Sequence, residues 1–377
     1  MAKLGEVFTI ASGGTPDKGN PFYYENGTIP WVKTGDLKNQ YVPTGIDCIT
    51  EEGLNNSSAK LFPPHTVLVA MYGATIGACS ILSYEAATNQ ACAAFLPNEN
   101  VLPTYLYYFL SSKRDQFVKD GVGGAQPNIS AGYLKNVQFD LVPVRQQEVI
   151  VERLDKIENL ITMRKEQLAK LDQLVKSRFA ELFGDTPDEE KKTMADICKI
   201  ITDGTHQPPK FTSTGIPFLF VSNIVTNEIH YDAEKFISEE TYAELIKRTP
   251  IAIGDILLST VGSYGHPAVV KSDKPFCFQR HIAYLKPNAD MVNSEYLRGA
   301  ILSADVQRQI DERVKGIAQK TLNLSEIRKL QLPLPSVEQQ EQFAAFVEQT
   351  DKSKLAIQQS LDKLELLRKS LMQEYFG

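Results

Sequence analysis

Cysteine and histidine are scarce, five of each in 377 residues, and neither is grouped. Cys48, Cys79, Cys92, Cys198 and Cys277 are odd in number and never form a Cys-x-x-Cys pair, which speaks against a disulfide framework or a zinc site and predicts reduced, mostly buried thiols. His65, His206, His230, His266 and His281 are dispersed, with no His-Glu-x-x-His, so no metal is expected. No run approaches the roughly 20 apolar residues that cross a bilayer, and the opening Met1-Ala2-Lys3-Leu4-Gly5-Glu6 lacks a basic segment followed by an apolar one. A cytoplasmic location is the expectation.

A basic surplus is missing as well. The net charge is −6, and by segment it is −3 for residues 1–143, +1 for 144–184, −2 for 185–336 and −2 for 337–377. Phosphate affinity rests on clustered Lys and Arg, so a nonspecific nucleic-acid binder is disfavoured. A specific one must place its cations on one face of each domain or borrow electrostatic grip from a partner.

Catalytic constellations are absent in the same way. Phe62-Pro63-Pro64-His65 and Gln207-Pro208-Pro209-Lys210 lack the acidic or amide residue and the aromatic that hold a flipped base in an amino-methyltransferase, and read as rigid turns. Pro187-Asp188-Glu189-Glu190-Lys191 is a contiguous acidic run, whereas metal-binding carboxylates converge from separate strands; it reads as solvated linker. Gly73-Ala74-Thr75-Ile76-Gly77 lacks the Lys-Ser/Thr of a phosphate cradle and reads as a strand-end turn.

What is present is a doubling. The chain is long enough for two domains with cores of their own, and 42% hydrophobic with 23% charged residues leaves little room for disorder. At an offset of 193, residues 144–184 match residues 337–377 without a gap and with thirteen identities, where chance gives roughly two or three. Gln-Gln-Glu stands at one end and Phe-Gly at the other. The preceding regions repeat more loosely: Ile-Ala-Ser-Gly-Gly-Thr at 10–15 answers Ile-Ile-Thr-Asp-Gly-Thr at 200–205, and Ile29-Pro30-Trp31-Val32 answers Ile216-Pro217-Phe218-Leu219. Val69 to Gly73 parallels Leu258 to Gly262, Tyr105-Leu106 parallels Tyr296-Leu297, and Ala125-Gln126 parallels Ala318-Gln319.

Runs such as Thr66-Val67-Leu68-Val69-Ala70-Met71 and Asp255-Ile256-Leu257-Leu258-Ser259 read as buried strands. Helical spacing follows over 103–119 and 294–314, with Pro103 as first helical residue and Ser294 as cap. Each half is therefore expected to be an α+β globule, the domains spanning 1–143 and 185–336, each followed by a long helix over 144–184 and 337–377. Leu154, Ile157, Ile161, Leu168, Leu171, Val175 and Leu182 step by threes and fours in the first helix, interrupted by Arg164 and Arg178. Val347, Ile357, Leu361, Leu364, Leu371 and Tyr375 do so in the second, interrupted by Thr350, Lys354 and Arg368. About 39 helical residues extend roughly 58 Å, too far for one globule to cover, so the two helices are expected to pair as an antiparallel coiled coil with pseudo-twofold symmetry. Arg145, Gln146 and Gln147, and their counterparts Glu338, Gln339 and Gln340, read as exposed residues at the helix starts that serve as caps or partner contacts.

Over its whole length the chain resembles the specificity subunits of type I restriction and modification systems. The resemblance rests on Ser12-Gly13-Gly14-Thr15-Pro16, on Val142-Pro143-Val144-Arg145-Gln146-Gln147-Glu148 opening the first long helix, and on Leu334-Pro335-Ser336-Val337-Glu338-Gln339-Gln340 opening the second. It implies a noncatalytic subunit that selects a bipartite double-stranded DNA target, one half-site per domain, with the helices fixing the spacing. It also implies two methyltransferase (modification) subunits that use S-adenosylmethionine on adenine, and restriction subunits that use ATP and Mg, with no cofactor on this chain.

DNA-reading candidates are polar residues on turns that recur in both halves: Thr15, Lys18, Lys33, Thr34, Tyr72, Thr75, Gln126 and Asn128 in the first, and Thr205, His206, Gln207, Lys210, Ser263, Tyr264, Arg280, His281, Gln319 and Lys320 in the second. Gln, Asn, Arg and Lys bond to base edges, while Ser, Thr and Lys also hold phosphates. A protein-binding coiled-coil scaffold accounts for the helices but not for paired globules with polar loops. An enzyme with a duplicated fold lacks its nucleophile, acid–base pair and cofactor loop.

Overall fold

The computed structural model describes residues 1–122, 128–316 and 320–377. They form two compact units, Met1–Arg164 with Ser360–Gly377, and Lys165–Gln359. Among the described residues no helix is long and apolar enough to cross a membrane.

Unit 1 is built on two small sheets. The first is antiparallel, in the order Ile10–Ser12, Cys92–Phe95, Val67–Ala70, Cys79–Ile81. Its residues alternate between two cores, as a pleated strand requires: Val67, Val69, Ala93 and Phe95 face a core shared with the helices, while Leu68, Ala70, Ala94 and Cys92 face the second sheet. That sheet runs Cys48–Ile49, Ile29–Val32, Ala86–Thr88, Leu61–Phe62, with a parallel pairing of Ile29–Val32 and Ala86–Thr88 at its centre. Burial pushes the Cys79 and Cys92 thiols up to about 12, which keeps them unreactive.

Unit 2 repeats this plan. Cys198–Asp203, Ile282–Pro287, Ile256–Ser259 and Pro267–Val269 form the antiparallel sheet. Phe236–Ile237, Ile216–Leu219 and Cys277–Phe278 form the second, which has three strands in place of four and again pairs two of them in parallel, Ile216–Leu219 with Cys277–Phe278. In both units a two-residue ladder ties the first strand to the last segment before the long helix: Ala2–Lys3 with Gln138–Phe139, and Lys192–Thr193 with Gln331–Leu332.

The expected helices over 103–119 and 294–314 are each two helices. Pro103–Ser112 gives way to Arg114–Asp120, and Ser294–Leu302 to Ala304–Arg313. In the second case Ser303 leaves the helical conformation and its hydroxyl accepts from Val306 N, so an internal cap stops one helix and starts another. Pro103 does occupy the first turn of its helix. The cap of the other is Asn293, which accepts from Glu295 N and Tyr296 N, while the Ser294 hydroxyl donates to Gly254 O.

The long helices are Val144–Phe183 and Val337–Phe376, 40 residues each. Within unit 1 they run antiparallel: Arg153 donates to the Tyr375 hydroxyl at 2.9 Å, and Glu158 pairs with Arg368 at 3.0 Å. Unit 2 shows the same sense, with Asp172 paired to Lys354 and Phe179 against Phe343. The polar breaks in the seams thus find partners within the chain, as Arg178 does with Glu181, and Thr350 back-bonds to Phe346 O. Leu154, Ile157, Ile161, Val175, Val347 and Leu361 are buried, and Leu168, Leu171, Ile357, Leu364, Leu371 and Tyr375 are half-buried.

Leu182 is a correction: 42% exposed, it lies outside the seam, and Phe179 and Phe183 take the inward positions. A second correction concerns what the buried face meets. Ile150, Leu154 and Phe376 belong to the core of the unit 1 globule, and Val175, Phe179, Phe183, Phe343 and Val347 to that of unit 2. The helix ends are pinned to globules as well as to each other, and each fully buried Phe is worth about 1.5–3 kcal/mol.

Gln147 and Gln340 are a third correction, since both are fully buried. Gln147 Oε1 accepts from Leu102 N at 2.9 Å, and its Nε2 donates to Asn100 O and Val142 O, both at 2.8 Å. Gln340 makes the matching set with Asn293 N at 2.8 Å, Met291 O at 3.1 Å and Pro335 O at 2.9 Å. Each is a clamp that satisfies three backbone groups where the long helix leaves its globule. Gln146 and Gln339 are exposed; Gln339 closes a cap with Ser336.

Candidate nucleic-acid interface

At one end of the antiparallel sheet in each unit, four turns are knitted together by backbone hydrogen bonds, and the bonds correspond. Gly14 N donates to Thr88 O at 2.9 Å, and Thr205 N to Phe278 O at 3.2 Å. Asn89 N donates to Val32 O at 2.9 Å, and Gln279 N to Leu219 O at 3.2 Å. Met71 N donates to Ala91 O at 2.8 Å, and Thr260 N to His281 O at 3.0 Å. Ile129 N donates to Met71 O at 3.0 Å, and Leu322 N to Thr260 O at 2.8 Å. Glycine permits the closest approach: a Cβ on Gly13 would lie 1.9 Å from Thr88 O, and one on Gly204 would lie 2.2 Å from Phe278 O.

Onto this frame unit 1 brings Thr15, Tyr72, Thr75 and Asn128, with Lys33 and Thr34 beside them at the end of Ile29–Val32. The Thr15 hydroxyl bonds the exposed Gln90 amide oxygen. Tyr72 bridges Asn128, and the Thr75 hydroxyl caps Tyr72 O at 3.1 Å on the turn Gly73–Thr75. Lys33 pairs with Asp47, whose carboxylate raises its pKa, and its ammonium sits 5.9 Å from the Trp31 ring. Lys18 is exposed on the turn after Thr15. Gln126 lies outside the described residues, as does Gln319 in the second half.

Unit 2 brings together Thr205, His206, Arg280, His281 and Lys320. Gly262 N donates to Lys320 O at 3.2 Å, and Asp203, Thr260, Arg280, His281, Thr321 and Asn323 line a polar cleft. His206 and Arg248 both engage Asp203. Arg280 is exposed, and its Nε lies 3.4 Å from His281 Nε2. Burial, with the adjoining Arg280 charge, holds the His281 pKa below its usual value. Ser263 is exposed on the neighbouring turn, while Tyr264 is half-buried and donates to Asp311 at 2.9 Å. Gln207 accepts the Thr205 hydroxyl through its carbonyl, and Lys210 extends into solvent farther along that loop.

Two residues were missed in the sequence. Gln90 stands 190 positions before Arg280, the offset that aligns residues 10–15 with 200–205, so the repeat itself held the signal. Arg248 lay outside the aligned repeats; it follows the helix Glu239–Leu245, whose unit 1 counterpart Glu51–Asn55 is two residues shorter, so the register between the halves is lost there.

This arrangement defines a two-headed binding chain: one backbone frame, used twice, presenting exposed polar side chains that differ between the copies. Among the described residues no group of three or more His, Cys, Asp or Glu is placed to hold a metal. The profile of the type I restriction modification DNA specificity domain matches residues 1–173 and 188–366. The chain belongs to that family, as a specificity subunit rather than an enzyme.

Among its relatives, the type I restriction enzyme MjaIX specificity subunit of Methanocaldococcus jannaschii is 24% identical over 399 residues, covering 99% of this chain and 91% of its own. The EcoR124I/EcoR124II specificity subunit of Escherichia coli is 30% identical over 162 residues, 42% of this chain and 40% of its own. Two solved structures share the fold at 16% identity. A chain from a study of complex assembly and conformational transition of the type I R-M system gives a TM-score of 0.60, with 100% of this chain and 96% of that one covered. The S subunit from M. genitalium gives 0.51, with 100% and 95% covered.

Proposed function

We propose that this chain reads a bipartite double-stranded DNA sequence, one half-site with each loop cluster, and that the long helices fix the spacing between them. Two methyltransferase subunits dock on the helices and use S-adenosylmethionine to methylate adenine; restriction subunits add ATP- and Mg-dependent translocation and cleavage. The assembly works in the cytoplasm. One observation carries this reading: four matched backbone bonds hold the turns of both units in the same frame, while the side chains on those turns differ, as two unlike half-sites require. Base-edge contacts specify sequence and backbone contacts position the protein, and the clusters offer residues for both.

The formal charge of −6 fits a subunit whose partners contribute to phosphate binding. Methylome sequencing of cells with and without this gene, the partners being expressed in both, tests the proposal. A bipartite methylated-adenine motif should vanish on deletion. A methylome that loses no bipartite motif refutes the function.

A further inference from the structure

We propose that Gln90 and Arg280 are equivalent base-reading side chains, Gln90 selecting an adenine in one half-site and Arg280 a guanine in the other; the assignment rests on the DNA-reading function above. The two residues occupy the same place in the frame. The residue before each, Asn89 or Gln279, donates to the end of the central strand of the second sheet, and the residue after each, Ala91 or His281, accepts from the start of the next turn. Both positions are therefore held on both flanks by backbone bonds, and both side chains are exposed. A base contact from such a position costs little further backbone ordering on binding, and only the side chain has to be fixed.

The other polar side chains of the clusters are largely committed. Lys33 is paired with Asp47, His206 and Arg248 with Asp203, and Tyr264 with Asp311. Lys18 and Lys320 are exposed cations, suited as point charges to phosphates. Arg280 pairs with no carboxylate among the described residues; its side-chain hydrogen-bond partner there is His281, reached through Nε, which leaves both terminal amino groups available to donate. That planar fork matches O6 and N7 of guanine. The amide of Gln90 is oriented by the Thr15 hydroxyl on its oxygen, which keeps a second lone pair, while Nε2 is left to donate. An amide so placed accepts from adenine N6 and donates to N7. Thr15 is accordingly a positioning residue.

Selection from randomised double-stranded DNA by the full chain in complex with its methyltransferase subunits tests the assignment. The parent complex should enrich a motif with an A·T pair in one half-site and a G·C pair in the other. Gln90→Arg should turn the adenine position to guanine and leave the other half-site untouched, and Arg280→Gln should do the reverse in its own half-site. Gln90→Glu, nearly isosteric, should replace adenine by cytosine. Arg280→Lys should keep overall affinity within a few-fold while discrimination at the guanine position falls, against the roughly five- to 150-fold that a bidentate contact supplies.

Variants that enrich the parental motif unchanged, or that alter both half-sites together, overturn the assignment, as does an Arg280→Gln protein that loses affinity uniformly across sequences while keeping its guanine preference, which would make Arg280 a phosphate contact. A parent complex that enriches no motif overturns DNA reading itself, a result distinct from the failure of these two residues.

Discussion

In unit 1 the helix Pro103–Ser112 presents Tyr107 and Tyr108 to the long helices, and Tyr108 donates to Asp155 at 2.5 Å. In unit 2 the corresponding turn of Ser294–Leu302 carries Arg298 and Gly299. Arg298, nearly buried, bonds Glu295 at 2.8 Å and Asp351 at 3.1 Å, and Lys271 joins the same two carboxylates. Gly299 leaves room for the Phe343 ring, whose counterpart in unit 1 is the smaller Ile150. Large and small residues have changed sides across one contact, and a tyrosine hydroxyl has been exchanged for an ion network. By contrast the glutamine clamps and the tyrosines behind them are alike: Tyr105 donates to Asp140 O and Tyr296 to Pro333 O. Anchors to the backbone are kept in both copies, whereas the filling between side chains is replaceable as long as volume and polarity balance.

That contrast can be broken most forcefully at the clamps. Gln147→Leu and Gln340→Leu each strand three backbone groups, at about 1–3 kcal/mol per group, so each should lower stability by at least about 3 kcal/mol in urea denaturation. Near-equal losses are expected; a loss confined to one variant would show that the two anchors are not equivalent.

The filling offers a smaller and unequal pair. A Cβ at Gly299 would lie 2.5 Å from the Phe343 ring, so Gly299→Ala should cost about 1–3 kcal/mol through overpacking. Tyr108→Phe, which removes a hydroxyl from a carboxylate acceptor, should cost about 1.5 kcal/mol. An unchanged midpoint for Gly299→Ala in the same denaturation would show that the Phe343 ring yields without cost, and an unchanged one for Tyr108→Phe that water replaces the tyrosine hydroxyl on Asp155.

The smallest effect is one of pH. Burial holds His266 and His281 below their usual values, with Lys176 and Arg280 respectively adding to it. The folded state thus favours their neutral forms, and the stabilisation present above about pH 6.5 is lost as pH falls toward the depressed folded values. Both lie in unit 2, while the one histidine of unit 1, His65, is exposed, and the sole tryptophan, Trp31, reports unit 1. Between pH 8 and 6 the far-UV dichroism transition should weaken more than the Trp31 fluorescence transition, and His266→Gln with His281→Gln should remove the difference. Equal slopes from both probes in the unsubstituted protein would contradict the assignment.

The doubling, the α+β globules and the long helices were legible because repetition and periodicity are one-dimensional signals. Less legible was whatever depends on a distant partner. Gln147 reads as a polar residue on a helix surface, and only the carbonyls of Asn100 and Val142 around it make it a core residue. Leu182 and Phe183 are adjacent apolar residues, and which one turns inward depends on Tyr296 and Phe343 in the fold. The breaks at Lys113 and Ser303 were hidden because apolar spacing runs through them; at Ser303 a local cap overrides it. In the candidate interface the turns were found, but Gln90 was not, since its meaning comes from the Arg280 it mirrors.

Phe376 rests against Tyr105 and Phe109 in unit 1, and Phe183 against Tyr296 in unit 2. Each globule thus carries a socket filled by a plug from the helix that follows the other globule. The plugs are the same residue in the same Phe-Gly ending, and each meets the matching tyrosine, but the walls differ: Phe109 stands beside one plug and Phe343 beside the other. The joint thus has a constant centre and a fitted rim, so a head moved from one place to the other would keep the tyrosine contact and have to repack the residues around it.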